Sequence, residues 1–242
     1  MKKSLILIPT YNEANNIDKL LDKIRKLYPQ IDILVVDDNS SDGTVEFLKN
    51  ISDKKIKYKI REKKYGIGSA HKDGINYAYE NDYNILITMD ADGTHEPENI
   101  KIFLTLIKKY DIINTNRFLK KDSLSDWPLS RKIFTYTRFY LNRYLLNVNL
   151  DSSGAFRCYN LDNIKKNHFN LITGLSYSFF WESLFIFKEK NYKIFEIPIN
   201  LPYRKNGSSK ITMKDIIGSF FLILFFFFKR FFKKYKSSSV IK

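Results

Sequence analysis

Five short strand-like runs, at residues 5–8, 33–36, 56–60, 85–89 and 111–114, alternate with segments of helical periodicity, and this restricts the fold more than any other feature. After the first run come Ile17, Leu20, Leu21, Ile24 and Leu27, an i, i+3, i+4, i+7 stripe. A Ser/Asp/Gly turn and a helical stretch near residues 45–48 follow the second run. Gly66-Ile67-Gly68 opens a helix through Tyr79 after the third. Ile100, Phe103, Leu104 and Ile107 mark a further helix beyond Pro97, a residue suited to a first helical turn. Such alternation, with connections of this length, predicts an α/β fold: a parallel sheet with helices on both faces. Sheets of this kind bind ligands outside the carboxyl ends of their strands.

Three polar segments fall at those ends. Asp90-Ala91-Asp92 closes the fourth run, Asp37-Asp38 closes the second, and Pro9-Thr10-Tyr11-Asn12-Glu13 follows the first. In extended chain, residues i and i+2 point the same way, so Asp90 and Asp92 can share one hard cation. Carboxylate oxygens suit Mg²⁺ or Mn²⁺, which one or two carboxylates plus substrate phosphates usually hold. An Asp-x-Asp alone is more often a solvated turn; the company of the second acidic pair gives it weight.

The second half breaks the alternation. A long aromatic helix is expected from Trp127-Pro128-Leu129-Ser130-Arg131 through Leu146, a strand over residues 152–159, a helix over 180–187 and a strand over 194–199. The basic loop Arg204-Lys205-Asn206-Gly207-Ser208-Ser209-Lys210 follows. Residues 1–211 are expected to form the main domain and 212–242 an appended segment. In that segment residues 216–228 are apolar on all sides and lead into Lys229-Arg230-Phe231-Phe232-Lys233-Lys234-Tyr235-Lys236. About 13 helical residues reach ~20 Å, short of a hydrocarbon core of roughly 30 Å. The expectation is an in-plane or shallow membrane anchor with lysines at headgroup level; a core helix and a full span are the alternatives.

The net charge of +15 points to a polyanionic partner, either nucleic acid, anionic lipid or a phosphorylated substrate. A composition rich in Lys, Ile, Asn, Phe and Tyr accounts for the surface lysines equally well. Lysines interleaved with phenylalanines beside a greasy helix fit a membrane better than nucleic acid. The lone Cys158 excludes an internal disulfide framework and a cysteine-based zinc site. The run after Met1-Lys2-Lys3-Ser4 is too short for a signal peptide, so the expected location is a membrane surface with the main domain facing the cytoplasm. Gly66-Ile67-Gly68 lacks a third glycine and does not follow the first strand, which disfavours a dinucleotide fold, and no phosphate-binding Walker loop is present. Metal-binding carboxylates, an aromatic and a basic loop at one sheet edge suit a nucleotide diphosphate whose departure is assisted by charge.

Pro-Thr-Tyr-Asn-Glu at 9–13, Val-Val-Asp-Asp-Asn-Ser-Ser-Asp-Gly-Thr at 35–44 and Met-Asp-Ala-Asp at 89–92, with His95 and Pro97 behind it, resemble the inverting GT-A glycosyltransferases of family two. Trp127-Pro128-Leu129-Ser130-Arg131, residues 153–159, residues 174–182 and Arg204-Lys205-Asn206-Gly207-Ser208-Ser209-Lys210 resemble the dolichol- or polyprenyl-phosphate mannosyltransferase branch. The resemblance spans residues 4–225. It implies that Pro9, Tyr11 and Glu13 line the base and ribose pocket with Val36 and Asp38. It implies that Asp90 and Asp92 hold the metal and that Ala91 lets the nucleotide approach. Arg117, Arg204 and Lys210 would neutralise phosphates and Arg131 would meet the acceptor phosphate; Asp92, Arg117, Arg131 and Arg204 carry the catalytic roles. Read singly, Pro9 ends a strand, Tyr11 packs as an aromatic and Arg131 is a surface side chain. Asp37 reads as a loop cap, and Gly66 and Gly68 as a tight turn.

Two departures stand out. Gly93-Thr94 replaces the Leu-Gln or Leu-Ser that often follows the Asp-x-Asp, leaving the Thr94 hydroxyl as a weaker ligand. Arg117 sits in Asn114-Thr115-Asn116-Arg117-Phe118 rather than in Gly-Ser/Thr-Arg-Tyr.

The resemblance implies hexose transfer, mannose from GDP-mannose, to dolichyl or polyprenyl phosphate at a membrane, dependent on Mg²⁺ or Mn²⁺. The alternatives are another nucleotide sugar such as UDP-glucose, or a saccharide hydroxyl acceptor. A hydroxyl needs a general base, for which Glu182 is the best placed by motif, though Glu182 reads equally as a structural acid. A non-catalytic binder of membranes or polyanions is the alternative from another class.

Overall fold

The computed structural model of the protein describes residues 2–202 and 212–238, with side chains described as far as residue 230. In chain order the elements are β1 (Ser4–Thr10), α1 (Ile17–Leu27), β2 (Asp32–Asp37), α2 (Thr44–Lys49), β3 (Ile56–Ile60), α3 (Ile67–Glu80), β4 (Ile85–Thr88), α4 (Ile100–Leu106) and β5 (Ile112–Asn116). They continue with α5 (Leu129–Leu146), β6 (Arg157–Asn160), α6 (Lys166–Phe169), α7 (Ser178–Glu189), β7 (Ile194–Pro198) and α8 (Met213–Ser238).

The strands form one sheet in the order β3-β2-β1-β4-β6-β5-β7. It is mostly parallel, as expected; β6 alone runs antiparallel, to both β4 and β5. Cys158 lies at its centre, with Ile87 as partner on one side and Ile113 on the other. Period-two alternation divides the apolar runs between two cores. Leu5, Leu7, Leu34 and Val36 face α3 and α7, while Ile6, Ile8, Ile33 and Val35 face α1 and α4. Burial on both faces is why these strands read as unbroken apolar runs rather than as polar/apolar alternation.

The strand expected over residues 152–159 is shorter, because β6 starts only at Arg157. The cause is local. Asp151 Oδ1 accepts from the Ser153 amide (3.2 Å) and hydroxyl (2.8 Å), which turns the chain before it can pair.

α5 has the extent that its periodicity predicts, yet it buries only Thr135, Asn142 and Leu146. α8 packs against α5 and α7. It buries Ile223 in the core and rests Leu222, Phe226 and Phe227 on it, with the Trp181 indole donating to the Ser219 hydroxyl at 2.9 Å. One face of α8 is thus part of the domain's packing. The outer faces carry Leu129, Ile133, Tyr136, Tyr140 and Tyr144 on α5, and Phe225 and Phe228 on α8, all exposed. Among the described residues no helix is long and apolar enough to cross a membrane.

The carboxyl ends of the six parallel strands share one sheet edge, and the antiparallel β6 begins there. The segments after β1, β2, β4 and β5, and the loop before β6, therefore meet at that edge.

Candidate active site

The turn after β4 is built to present two carboxylates. The Asp90 amide donates to His95 Nδ1 at 2.9 Å, so the neutral ring carries its proton on Nε2, which lies 3.9 Å from Asp90 Oδ2. His95 is buried and stacks on Phe156 at 4.9 Å. Burial pushes its pKa down to about 4, with Asp92 opposing and Arg117 adding to the shift. It thus works as a neutral brace for the turn. Asp92 Oδ1 accepts from the Thr94 amide (3.0 Å) and hydroxyl (2.6 Å), so Thr94 orients Asp92. Gly93, with φ +74°, supplies the left-handed residue that this turn requires.

Asp90 and Asp92 line a cavity of about 810 Å³ together with Arg117, Trp127, Arg131, Arg138, residues 153–155 and the facing sides of α5 and α8. Arg117 is buried and held rigidly: its Nε and its amide both donate to Asp151 Oδ2, at 2.6 and 3.0 Å. Burial would raise the Asp151 pKa, but the Arg117 charge and its hydrogen bonds outweigh that and hold it low. Behind this pair Glu196 accepts from Asn114 (2.8 Å), Asn116 (2.7 Å) and the Asp151 amide (2.8 Å). Gly154 fits where a Cβ would stand 3.4 Å from Arg117 Nη2. Arg131 lies over the Trp127 ring at 3.8 Å, with Arg117 at 5.7 Å from the same ring, and the Trp127 indole is anchored to the Leu201 carbonyl at 2.9 Å. Stacking on an aromatic face fixes the plane of a guanidinium group.

The residues expected at a nucleotide base stand along the same edge, at the ends of β1 and β2, outside the lining of this cavity. Pro9 pairs with Val36 in the sheet. Tyr11 is half-buried beneath the Lys64 ammonium at 4.0 Å. Glu13 is buried, with its amide on Thr44 Oγ1 and its carboxylate accepting from Asn16. Asp38 is buried against Arg61 at 2.6 Å and accepts the amides of Tyr65 (2.8 Å) and Gly66 (2.9 Å), so its carboxylate pins the entry to α3. The Val36 and Ala91 side chains pack in the core, and a contact from either to a nucleotide passes through its backbone. Arg204 and Lys210 lie outside the described residues. Asp37 caps its loop, accepting from Thr10 Oγ1, the Ser40 amide and the Ser40 hydroxyl. Gly66 and Gly68 make the turn expected of them: a Cβ on Gly68 would stand 2.7 Å from the Ser176 carbonyl oxygen.

Glu182 is fully buried, and its oxygens accept from the Thr173 amide (2.7 Å), the Thr173 hydroxyl (2.9 Å) and the Gly174 amide (2.7 Å). It holds that loop and is not part of the cavity lining. Arg61, Asp151 and Glu196 are the supporting residues that sequence reasoning missed. No local motif marks any of them, since each works through partners distant in sequence.

A doubly wound sheet that sets an Asp-x-Asp and buried guanidinium groups at its carboxyl edge defines a transferase of nucleotide-diphospho-sugars. Residues 5–167 match the family described as Glycosyl transferase family 2, and the chain belongs to that family and is a glycosyltransferase. It is similar to an undecaprenyl-phosphate mannosyltransferase of Micrococcus luteus, 31% identical over 86% of this chain and 87% of that protein. It is also similar to a polyprenol monophosphomannose synthase of Mycolicibacterium smegmatis, 28% identical over 92% of this chain and 86% of that protein. Its fold matches a mannosyltransferase of Pyrobaculum calidifontis solved with GDP-Man and Mn²⁺, with TM-score 0.54 and 14% identity over 84% of this chain and 58% of that one.

Proposed function

We propose that this glycosyltransferase moves mannose from GDP-mannose to a polyprenyl or dolichyl phosphate at a membrane surface, with inversion at the anomeric carbon. The observation that carries the reading is the cavity itself: metal-type carboxylates, a cluster of guanidinium groups and the apolar faces of α5 and α8 line one continuous space. A sugar diphosphate, an acceptor phosphate and an isoprenoid chain need those three surfaces in that combination.

Asp90 and Asp92 offer a hard divalent cation two oxygen ligands, and among the described residues no third His, Cys, Asp or Glu joins them. That donor set fits Mg²⁺ or Mn²⁺, hard ions that need only one or two protein carboxylates beside a substrate phosphate. When bound, the ion neutralises charge developing on the departing nucleotide. The chain supplies positioning. An acceptor phosphate monoester, with a second pKa near ~6, is already an anionic nucleophile at neutral pH. Its oxygen attacks the anomeric carbon in line, forming the new C–O bond as the bond to the diphosphate breaks; no proton moves, so no general base is needed. Arg117, fixed by Asp151, and Arg131, seated on Trp127, hold the phosphates that approach and leave. The assignments of Pro9, Tyr11, Glu13, Val36 and Asp38 to the nucleoside, and of Arg204 and Lys210 to phosphates, rest on their motifs. Binding to the membrane is peripheral in this reading, through the exposed aromatic faces of α5 and α8, with the catalytic domain facing the cytoplasm and nucleic acid playing no part.

The saccharide-acceptor alternative is less well supported, because Glu182, its candidate base, is committed to the 173–174 loop. The test is a panel of labelled nucleotide sugars offered with polyprenyl phosphate, with and without a chelator. Label entering the lipid phase only from GDP-mannose and only with metal is the expected result. Label appearing solely in a water-soluble saccharide would overturn the reading.

A further inference from the structure

Residues 216–228 of α8 carry no polar side chain except that of Ser219. Apolar contacts choose poorly among rotations of such a helix. A slip of one residue, a turn of about 100°, presents another phenylalanine or isoleucine to the same neighbours. A polar contact that slipping would break does choose. α8 has three, at Asp215, Ser219 and Arg230, on one helical face together with the buried Ile223. Asp215 Oδ2 accepts from the Thr212 amide (2.9 Å) and hydroxyl (2.7 Å), and Thr212 Oγ1 accepts from the Asp215 amide (3.3 Å), which closes a capping box. A capping box needs nothing outside its own helix. Here the other oxygen, Oδ1, accepts from the Ser176 hydroxyl at 2.6 Å, 39 positions away in sequence. One turn on, the Ser219 hydroxyl accepts from the buried Trp181 indole of α7 at 2.9 Å, and further along Arg230 donates to the Leu146 carbonyl at the end of α5 at 2.8 Å. Burial would raise the Asp215 pKa, but the Ser176 and Thr212 hydrogen bonds, with the Lys64 charge, hold it low.

Ser176 is a fixed point of reference. Glu182 on α7 holds the Thr173 and Gly174 amides, each at 2.7 Å, and the Leu175 carbonyl accepts from the Ser69 amide of α3 at 2.9 Å. Tied to that loop, α8 turns Ile216, Ile217, Phe220 and Phe221 into the cavity lining and leaves Phe225 and Phe228 outside it. We propose that Asp215 is a positioning residue for the acceptor: through Ser176 it sets the rotation of α8, and so selects which apolar side chains form the wall that takes the isoprenoid chain. The inference rests on the reading given under Proposed function and deepens it, naming what holds the chain-binding wall in place. Asp215 acts through the helix, since both its oxygens are engaged. Its own charge, in the same lining as Asp90 and Asp92, opposes an anionic acceptor. Losing the charge and losing the hydrogen bonds therefore act in opposite directions on acceptor binding.

The test uses the full chain, GDP-mannose and farnesyl phosphate, comparing wild type with Ser176→Ala, Asp215→Leu, Asp215→Asn and Thr212→Ala. Ser176→Ala and Asp215→Leu should each raise the acceptor KM by about tenfold, the scale of a small misplacement, and leave the donor KM within about twofold. Asp215→Asn loses the charge but still accepts from Ser176, so its acceptor KM should stay within about threefold of wild type or fall below it. Thr212→Ala breaks the cap and keeps the Ser176 bond; it should lower the melting temperature by a few degrees with the acceptor KM within about twofold. Should Asp215→Leu fail to fold, Ser176→Ala decides, because it removes one hydroxyl and leaves the capping box intact. An unchanged acceptor KM in Ser176→Ala, an equal rise in its donor KM, a rise in Asp215→Asn equal to that in Asp215→Leu, or a rise in Thr212→Ala equal to that in Ser176→Ala overturns the assignment while leaving the transfer activity standing. Inactivity of wild type towards farnesyl phosphate with every nucleotide sugar overturns the reading on which it rests.

Discussion

Arg117 binds Asp151 twice through one oxygen: its Nε lies 2.6 Å and its backbone nitrogen 3.0 Å from Asp151 Oδ2. A side chain and its own amide converging on one buried carboxylate leave the guanidinium little freedom, so its unused N–H groups point where the fold dictates. Asp151→Asn keeps the shape but removes the charge and leaves Arg117 buried without its counter-ion. The expected cost is about 3 kcal/mol of stability, as for other broken buried pairs, with turnover reduced about 10²-fold through misplacement of Arg117. Denaturant unfolding and steady-state kinetics check the two halves. The Asp151 pKa is depressed in the fold, so its contribution is present above the unfolded value of 3.8 and is lost as pH falls through the lower folded value. The variant should accordingly lose part of the acid limb of the stability curve; an identical limb would show that the pair contributes nothing.

Asp92→Asn should abolish metal-dependent transfer, by about 10²–10³-fold or more, with the melting temperature close to that of wild type. The reason is positional: Asp92 lies on a surface turn whose Oδ1 is oriented by Thr94, and no core packing depends on its charge. Thr94→Val removes the orienting hydroxyl while the turn keeps its amide bond, and should raise the metal concentration required for half activity. Normal turnover of Asp92→Asn would remove the metal role assigned to this pair.

The half of the fold dominated by local periodicity was legible. Five strands and their helices follow from apolar runs and stripes, and α5 spans the residues its pattern marks, because each of these signals is carried by neighbours in the chain. The strand expected over residues 152–159 is present as β6, but its late start at Arg157 and its antiparallel direction were not legible, since the direction is set by β4 and β5 on either side. The site divides the same way. Asp90 and Asp92 announce themselves by spacing at a strand end. The partner of Arg117 does not, being 34 positions away in sequence and visible only once β5 and the 151–155 loop are side by side. Asp38 likewise carried no mark of its ion pair with Arg61.

The outer faces of α5 and α8 should bind lipid. Ile133 and Phe225 are 56% and 57% exposed, lie outside the lining of the cavity, and sit on helices that pack against each other. Burying one such side chain at an interface stabilises binding by about 1.5–3 kcal/mol. Ile133→Glu or Phe225→Glu should weaken binding to anionic vesicles by about tenfold or more, while activity on a short soluble isoprenyl phosphate stays within about twofold. Co-sedimentation with vesicles measures the first and initial rates the second. Vesicle binding unaffected by both substitutions would place the membrane contact elsewhere on the chain.

His71 offers a prediction independent of catalysis. It is buried on α3 with neither ring nitrogen hydrogen-bonded among the described residues, stacked on Phe179 and edge-on to Phe180, each at 5.1 Å. Burial, and then the charge of Arg157, push its pKa from 6.5 to about 3. The folded ring therefore stays neutral where the unfolded ring takes up a proton. Stability is full above pH 6.5 and falls as pH drops from 6.5 towards 3, because the unfolded state binds the extra proton in that window. His71→Phe presents a ring of similar shape to the same aromatic neighbours, so its stability at neutral pH should stay within about 1.5 kcal/mol of wild type. Its acid-unfolding midpoint should move to lower pH, as followed by circular dichroism in a fixed moderate concentration of urea. Coincident acid transitions of variant and wild type would mean that another group, and not His71, carries the proton uptake.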